Sequence, residues 1–427
     1  MVRNWIKACI ILGIILVSSS MVFSQNRTNS PYSLYGAGIT NNIFDVKNAG
    51  MGGIAFGIRE EANLNFANPA SFTALAPKSF TFSAGMLTSS GTLNSSTSSE
   101  KVSNGTLSYL MFGFRVAKGW NTSVGLVPVS NSEYNFGSVN EDGPFGREGQ
   151  SAVGNGGLNK FYWGNAFKLS ENFSAGVNTS FVFGTLDREN QKVFLDTTTF
   201  LNTSVFESVV VKDFEFTFGL QYHKNIKEDV DLTIGAVYSP KVNLSAKRDY
   251  LVRSFSETSL GVDYFQDTIT MELAKEGTLV FPNKYGVGFS LRKKDKWHFG
   301  MDMELENWSE YREYGAIDSL NSSFRVAAGG EYIPDKNNVY SYFKRMSYRF
   351  GVYYENSNLT LRNTKINEYG ISFGIGLPMK RSKSAFNIAV EYGQRGTTAN
   401  NLIKEKYLRF RLGITLHQKW FEQRKYY

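Results

Sequence analysis

The sequence predicts an all-β protein, a 14-stranded antiparallel β-barrel of an outer membrane with an N-terminal hatch inside the lumen. Three observations support this fold class. The first residues read as an export signal, and from Pro77 onward apolar residues alternate with small or polar ones in segment after segment. Between the two lies a glycine-rich stretch with neither helical nor strand periodicity, which predicts a plug rather than a domain of its own.

Residues 1–24 are predicted to be a signal peptide. Arg3 and Lys7 precede an apolar run from Ala8 to Val17, and small residues then lead to a cleavage site after Ser24. The run is too short to span a bilayer. The only cysteine, Cys9, falls within it, so we expect a mature chain without disulfides, thiolate catalysis or cysteine-bound zinc.

Composition agrees with a membrane barrel. Aromatic residues make up 15% of the 427 residues, and 40 glycines accompany 34 Phe and 23 Tyr. The net charge is +8, and the loss of Arg3 and Lys7 leaves +6. Basic residues are scattered through predicted turns and form no aromatic-laced stripe, so no nucleic-acid partner is expected.

The predicted hatch covers residues 25–76. Between Ser30 and Leu75 six glycines, including Gly52 and Gly53, are interspersed with large apolar residues that cannot build a core alone. The segment closes on Asn68, Pro69 and Ala70, where the proline fixes its own backbone and keeps Asn68 out of the helical region. The alternative is an N-terminal linker.

Fourteen alternating segments follow, and residues 77–418 are predicted to form the barrel. A clear case sets Phe214, Phe216, Phe218 and Leu220 against Glu215, Thr217, Gly219 and Gln221. The predicted spans are 77–88, 105–117, 119–131, 156–169, 171–187, 208–224, 228–246, 277–293, 295–308, 318–333, 343–357, 365–378, 383–396 and 404–418. A soluble β-sandwich is the alternative, but it does not explain why short and long connections alternate.

The connections predict the orientation. The short ones are assigned to the periplasm, so both chain ends and a tail of residues 419–427 are expected there. An aromatic girdle is expected at the periplasmic interface from Trp120, Phe173, Trp297, Trp420 and Phe421. The longer connections at 131–155, 188–207 and 247–276 are expected to be extracellular loops that capture a ligand.

The run AGMGGIAFGIREEANLNFANPASFTAL resembles the hatch of the FadL/TodX family of outer-membrane transporters for fatty acids and other hydrophobic molecules. The shared features are a Met-Gly-Gly turn followed by Asn-Pro-Ala. The C-terminal run, which ends in a basic aromatic tail, resembles FadL-like barrels of bacteria that also carry type IX secretion. The resemblance implies passive uptake of a hydrophobic small molecule such as a long-chain fatty acid, with a hatch movement around Asn68 to Ala70 that lets it pass.

The third predicted strand, NTSVGLVPVSN, departs from alternation. Leu126, Val127, Pro128 and Val129 are consecutive and apolar, and Pro128 has no N–H for a ladder hydrogen bond, so a kink or bulge is expected. The FadL resemblance implies a lateral gate at this position. We therefore predict a gate formed by Gly125, Leu126, Val127, Pro128 and Val129, with a bulge of no function as the alternative.

Charged residues occupy predicted lumen-facing positions on the later strands. Arg325, Arg349, Arg409 and Arg411 have acidic neighbours on adjacent strands, which predicts ion pairs that brace the wall and hatch. The alternative is an arginine that binds a fatty-acid carboxylate. The three histidines lack metal-ligand spacing and no catalytic motif occurs, so no enzyme activity, metal or cofactor is expected.

The expected partners are outer-membrane lipid and a hydrophobic, fatty-acid-like ligand. The main alternative function is an accessory barrel of type IX secretion similar to PorV, which would bind exported proteins and type IX components instead of transporting small molecules. Fold alone cannot separate these functions. A dry apolar pocket in the lumen would favour transport, whereas a lumen filled by hatch and ion pairs would favour protein binding.

Overall fold

The computed structural model describes residues 30–40, 44–197, 199–257, 263–318, 320–380 and 382–419. The predicted signal peptide, Trp420, Phe421 and all but the first residue of the predicted tail lie outside the described residues. Among the described residues, no helix is both long and apolar enough to cross a membrane.

The described chain consists mainly of β-strands, with a few short helical turns. The strands are β1 (Ile39–Thr40), β2 (Ser79–Asn94), β3 (Ser99–Ala117), β4 (Trp120–Pro128), β5 (Ser130–Asn131), β6 (Tyr134–Asn140), β7 (Glu148–Lys168), β8 (Phe173–Phe194), β9 (Asn202–Lys227), β10 (Val230–Ser239), β11 (Val242–Glu257), β12 (Asp263–Phe281), β13 (Lys284–Lys293), β14 (Trp297–Glu306), β15 (Arg312–Glu313), β16 (Ala316–Ile317), β17 (Ser323–Tyr332), β18 (Ser347–Leu361), β19 (Thr364–Pro378), β20 (Ala385–Arg395) and β21 (Lys404–Lys419). The α-helical turns are α1 (Val46–Ala49) and α2 (Tyr342–Arg345), and 3₁₀ turns cover Pro31–Leu34, Pro69–Ala74, Trp308–Glu310 and Ala399–Asn401.

All strands except β1 and β5 belong to one closed antiparallel barrel, which confirms the predicted 14-stranded fold. The barrel closes where β2 pairs with β21, from Ser79 opposite Lys419 to Asn94 opposite Lys404. Three of the fourteen wall strands are interrupted: β4 and β6 form the third, β10 and β11 the seventh, and β12 and β13 the eighth. Closure pairs each wall strand with neighbours on both sides, and the described residues show a break in this pairing at the site described below.

Alternation determines which side chains face outward. On β9, Phe214 and Leu220 are more than half exposed, whereas the residues that follow them, Glu215 and Gln221, are buried toward the lumen. Trp120, Phe173 and Trp297, the described members of the predicted girdle, lie next to the tight turns. The outer surface is thus an apolar belt, as a lipid-facing barrel wall requires.

The long connections differ from prediction, because they are largely strand. The fifth wall strand was expected to end at residue 187, but β8 continues to Phe194 and stays paired with β9 as far as Lys192 opposite Thr203. Likewise β11 and β12 form a hairpin in which pairing reaches Glu257 opposite Asp263. Beyond the membrane both faces of a strand contact water, so the apolar alternation used to set the boundaries ends before the backbone pairing does.

The N-terminal segment packs inside the barrel. Its later half, residues 44–76, lies against the lumen wall in the half near the tight turns, and Val46, Met51, Ile54, Leu64 and Phe72 are buried there. Its first described residue, Ser30, hydrogen-bonds Glu405 at the end that carries the long hairpins. The first and last described residues, Ser30 and Lys419, therefore lie at opposite ends of the barrel, so the described chain does not place both ends on one side.

Candidate functional site

The barrel wall is open beside its third strand. β3 and β4 pair from Ala117 opposite Trp120 to Leu110 opposite Leu126, and the ladder stops there, two residues before Pro128. Above that point β3 pairs only with β2, and β6 pairs only with β7, among the residues that the structure describes. The upper part of β3, residues 99–109, thus has no strand partner on its β4 side among the described residues, and we call this break in the wall the gap.

The N-terminal segment covers this gap from inside. β1 pairs antiparallel with β5, with Ile39 opposite Asn131 and Thr40 opposite Ser130. Gly38 precedes β1 with a φ of +87°, and a Cβ there would overlap the carbonyl of Asn131, so only glycine allows this approach. We call the β1–β5 pair the latch.

Residues before the latch are tied to the long-hairpin end of the lumen. The N–H of Gly36 donates to Asp318 Oδ2 at 2.7 Å, and the carbonyl of Gly36 accepts from Arg188 Nη2 at 2.8 Å. The hydroxyl of Tyr32 donates to the carbonyl of Ile403. Burial raises the pKa of Tyr32 to about 12, so this hydroxyl keeps its proton at neutral pH.

A cavity of 180 Å³ lies between the latch, the hatch and the open wall. Polar and charged residues outnumber apolar ones in its lining, although apolar atoms, including those of Phe44, Leu87 and Pro128, supply about half of the lining surface. Besides the tyrosines Tyr353 and Tyr407, the hydroxyl and amide side chains of the lining are Ser30, Thr40, Ser89, Thr92, Asn104, Thr106, Ser108, Ser130, Asn131 and Asn159. The Ser108 hydroxyl is buried and has no hydrogen-bond partner among the described residues.

A network of ion pairs forms one side of the cavity. Arg409 binds Glu391 at 2.7 Å and Glu368 at 3.4 Å, and Arg411 also binds Glu391. Arg395 pairs with Glu368, and its Nη1 lies 3.6 Å from Glu405. The arginine charges are therefore already matched by carboxylates of the barrel wall.

Gly52 fits the hatch against the opposite wall. Its carbonyl accepts from Arg325 Nη2 at 2.7 Å, and its N–H donates to Ser372 Oγ at 2.8 Å. Its φ is +71°, and a Cβ would lie 2.8 Å from the carbonyl oxygen of Val352. Gly53, at φ +79°, packs under the ring of Phe44.

Asn68, Pro69 and Ala70 form a second attachment of the hatch. The Asn68 amide donates to the carbonyls of Phe56 at 2.8 Å and Leu220 at 3.3 Å, and its Oδ1 accepts from the Ala70 N–H at 3.1 Å. Pro69 begins the 3₁₀ turn that Asn68 caps. This triplet docks the hatch onto β9 and does not contact the cavity.

A buried charge cluster holds the hatch near the tight turns. Lys47 of α1 lies 2.6 Å from Glu60 and 3.2 Å from Glu331 of β17, and Arg349 binds Glu331 at 2.7 Å and Asn387 at 2.9 Å. Burial opposes the charge on Lys47, but the carboxylates of Glu331 and Glu60 outweigh it, and the pKa of Lys47 is raised. The cluster joins hatch and wall through charges that would be costly to separate.

The structure separates the residues predicted for the gate. Gly125 and Leu126 are still paired with β3, Val127 is fully buried, and the N–H of Val129 donates to the carbonyl of Leu158 at 2.8 Å. Of the five, Pro128 lines the cavity. Sequence reasoning missed the other side of the gap, whose signal is the run of small polar residues from Ser89 to Ser108 on two neighbouring strands.

The four predicted arginines lie in the lumen wall with partners from the protein. Arg325 contacts the hatch and also lies 3.7 Å from Glu355, Arg349 belongs to the buried charge cluster, and Arg409 and Arg411 border the cavity. No group of three or more His, Cys, Asp or Glu side chains in the described part of the chain is arranged to hold a metal ion.

Several solved structures share this architecture. The toluene transporter TbuX of Ralstonia pickettii superposes with a TM-score of 0.57 at 15% identity, covering 90% of this chain and 98% of its own. The toluene transporter TodX of Pseudomonas putida gives 0.56 at 14% identity, covering 91% and 100%, and a FadL homologue of Pseudomonas aeruginosa gives 0.56 at 12%, covering 89% and 99%. None of the three is named as an enzyme. No curated protein matches the chain in sequence.

The closed barrel, the internal hatch and the open third strand define a FadL-like outer-membrane β-barrel. A family model described as BamG matches residues 2–427. The chain belongs to the BamG family.

Proposed function

We propose that the protein is a passive outer-membrane channel for hydrophobic or amphipathic small molecules, such as long-chain fatty acids, with a sideways exit. The observation that supports the proposal is the end of the β3–β4 ladder at Leu110 and Leu126, beside a lumen cavity lined by residues of both strands. The solved barrels of the same fold, named as toluene transporters, support this function. The chain holds no nucleotide motif, so flux would follow the ligand gradient.

The latch would gate the exit. A cavity of 180 Å³ is small for a long-chain ligand, because binding sites for drug-sized molecules usually measure about 300–1,000 Å³. The β1–β5 pair is only two residues long, and a backbone hydrogen bond contributes about 0.5–1.5 kcal/mol net. Releasing Ile39 and Thr40 from β5 would therefore enlarge the cavity at low cost.

The experiment is to lock the latch with a disulfide. Ile39→Cys with Asn131→Cys, or Thr40→Cys with Ser130→Cys, places two thiols on directly opposed residues, as disulfide geometry requires. Because Cys9 is the only native cysteine and lies in the predicted signal peptide, the introduced pair has no competitor. Oxidation should block uptake of a fluorescent long-chain fatty acid by cells expressing the barrel, and reductant should restore it.

The matched control is Ser90→Cys with Ser103→Cys, which joins opposed, exposed residues of β2 and β3 that line neither the cavity nor the latch. Its oxidation should leave uptake unchanged. Equal uptake by the oxidised and reduced latch variants would contradict gating by β1, and absence of uptake in every variant, including wild type, would contradict the channel.

A second function, an accessory barrel that binds exported proteins, is favoured by the polar lumen. The cavity is not a dry apolar pocket, because paired arginines and glutamates border it. A deletion strain separates the two functions. Loss of fatty-acid uptake with normal secretion supports the channel, whereas a secretion defect and recovery of type IX components with the tagged barrel support protein binding.

We also propose that the tight turns face the periplasm. Lys419 would then lie on the periplasmic side, and Ser30 would lie near the outer surface. An epitope inserted after Asp142, in the β6–β7 connection, should be accessible on intact cells, whereas one inserted after Asp295, in a tight turn, should not.

A further inference from the structure

We propose that the cavity at the open wall binds the uncharged, hydroxyl-rich headgroup of an amphipathic lipid-like molecule, a polyol or sugar whose chain stays in the bilayer. The inference rests on the proposed lateral opening and names the class of molecule that uses it. It departs from a fatty-acid ligand, whose carboxylate would need an unmatched positive charge.

Charge in the cavity is balanced within the protein. Arg325, Arg395, Arg409 and Arg411 line it together with Glu355, Glu368, Glu391 and Glu405, and each of the eight has a partner of opposite charge. The remaining charged residue of the lining, Lys406, is exposed outside. An anionic or cationic headgroup would have to break one of these pairs, whereas an uncharged headgroup leaves them intact.

Hydroxyl and amide groups make up the uncharged polar part of the lining. Ser89, Asn104, Thr106 and Ser108 line the cavity from β2 and β3. Such side chains both donate and accept hydrogen bonds, which suits a ligand rich in hydroxyl groups. The buried Ser108 hydroxyl, which lacks a partner among the described residues, would gain one from such a headgroup.

The mouth of the cavity differs from its interior. On the outer surface below the gap lie Leu107, Leu110 and Phe161, all exposed toward lipid. The path from mouth to cavity therefore changes from apolar to polar over the thickness of the wall. A molecule with its hydroxyl-rich end in the cavity and its chain among these residues satisfies both surfaces.

The test compares four amphipathic probes that share a twelve-carbon chain and differ in their headgroup. Thr106→Cys places a single thiol in the cavity, and Ser103→Cys places one on the outward face of the same strand as a matched control. Each variant in nanodiscs is modified by a small water-soluble thiol reagent in the presence of dodecyl glucoside, 1-dodecanoylglycerol, dodecanoic acid or dodecyltrimethylammonium. Dodecyl glucoside and 1-dodecanoylglycerol should slow modification of Thr106→Cys about tenfold. Dodecanoic acid and dodecyltrimethylammonium, which are charged, should slow it less than about twofold. None of the four should affect modification of Ser103→Cys. Adding Ser108→Ala to Thr106→Cys should reduce the protection by dodecyl glucoside.

Equal protection by all four probes would show that the chain alone binds and would overturn the headgroup assignment. Stronger protection by a charged probe would overturn it as well. Absence of protection in a protein whose disulfide-locked latch still blocks uptake would refute this inference and leave the channel intact. Protection in a protein whose locked latch has no effect on uptake would support the binding site and refute the channel.

Discussion

Asp302 is expected to be the strongest single attachment of the hatch to the barrel wall. It lies on β14, is 4% exposed, and its Oδ2 accepts from the N–H groups of Ala55 at 2.5 Å and Phe56 at 2.8 Å. Leaving a buried N–H without an acceptor costs about 1–3 kcal/mol, so Asp302→Leu, which leaves two such groups, should weaken hatch docking by about 2–6 kcal/mol. This corresponds to an increase of about 30- to 10⁴-fold in the fraction of opened hatch.

Amide hydrogen exchange measures this fraction. Peptides covering residues 51–58 should exchange faster in Asp302→Leu by the factor given above, while peptides from β20 and β21, which pair on both edges, should not change. Asp302→Asn keeps an oxygen acceptor of the same size and should show a smaller increase. Exchange of the hatch within about twofold of wild type in the leucine variant would refute the assignment, as would equal effects of leucine and asparagine.

Three further substitutions test the latch, the charge cluster and the break in the wall. Gly38→Val introduces a Cβ that overlaps the carbonyl of Asn131, so the latch should open. Uptake of a fluorescent fatty acid should then rise above that of wild type. Unchanged uptake would count against the latch. Lys47→Met leaves Glu60 and Glu331 without their shared partner and should destabilise hatch docking by about 3–5 kcal/mol. The N-terminal segment should then be cleaved faster by a protease, whereas Lys47→Arg should be cleaved at a rate closer to that of wild type. Equal proteolysis rates in wild type and both variants would contradict this prediction. Pro128→Thr restores an N–H donor to the third strand and should reduce uptake by extending the wall; uptake equal to wild type would argue against a sideways exit.

The barrel could be predicted from the sequence because the two faces of its wall contact different environments. Phe214 to Leu220 alternate with polar or small residues since one side meets lipid and the other the lumen, and that contrast fixes the strand and its facing. The contrast disappears above the membrane, so the extension of β8 to Phe194 leaves no periodic signal. The extension of β8 is stabilised by its hydrogen bonds to β9, and the sequence of one strand does not show which partner it pairs with.

The candidate site was predictable only in part for a similar reason. Pro128 marks a break in any strand, so its position was a sound prediction from residue chemistry. The partner that covers the break, Ile39 and Thr40, is a strand of two residues and carries no pattern of its own. The arginines were placed in the lumen by alternation, but whether Arg409 meets Glu391 or a ligand depends on the register of β20 and β21.

The two halves of the N-terminal segment differ in how firmly they are held, and this difference decides what must move for a sideways exit. Residues 52–68 are fixed by buried hydrogen bonds to the wall, among them Arg325 to Gly52 and Ala55 to Asp302. β1 is held to β5 by one two-residue pair, and local opening begins where such bonds are fewest. Because the cavity lies beside the gap at β1 and not at Asn68 to Ala70, the proposed sideways exit would leave the hatch seated. A sideways exit therefore does not require the movement of Asn68 to Ala70 that the family resemblance implies, and locking that triplet to β9 should leave uptake unaltered.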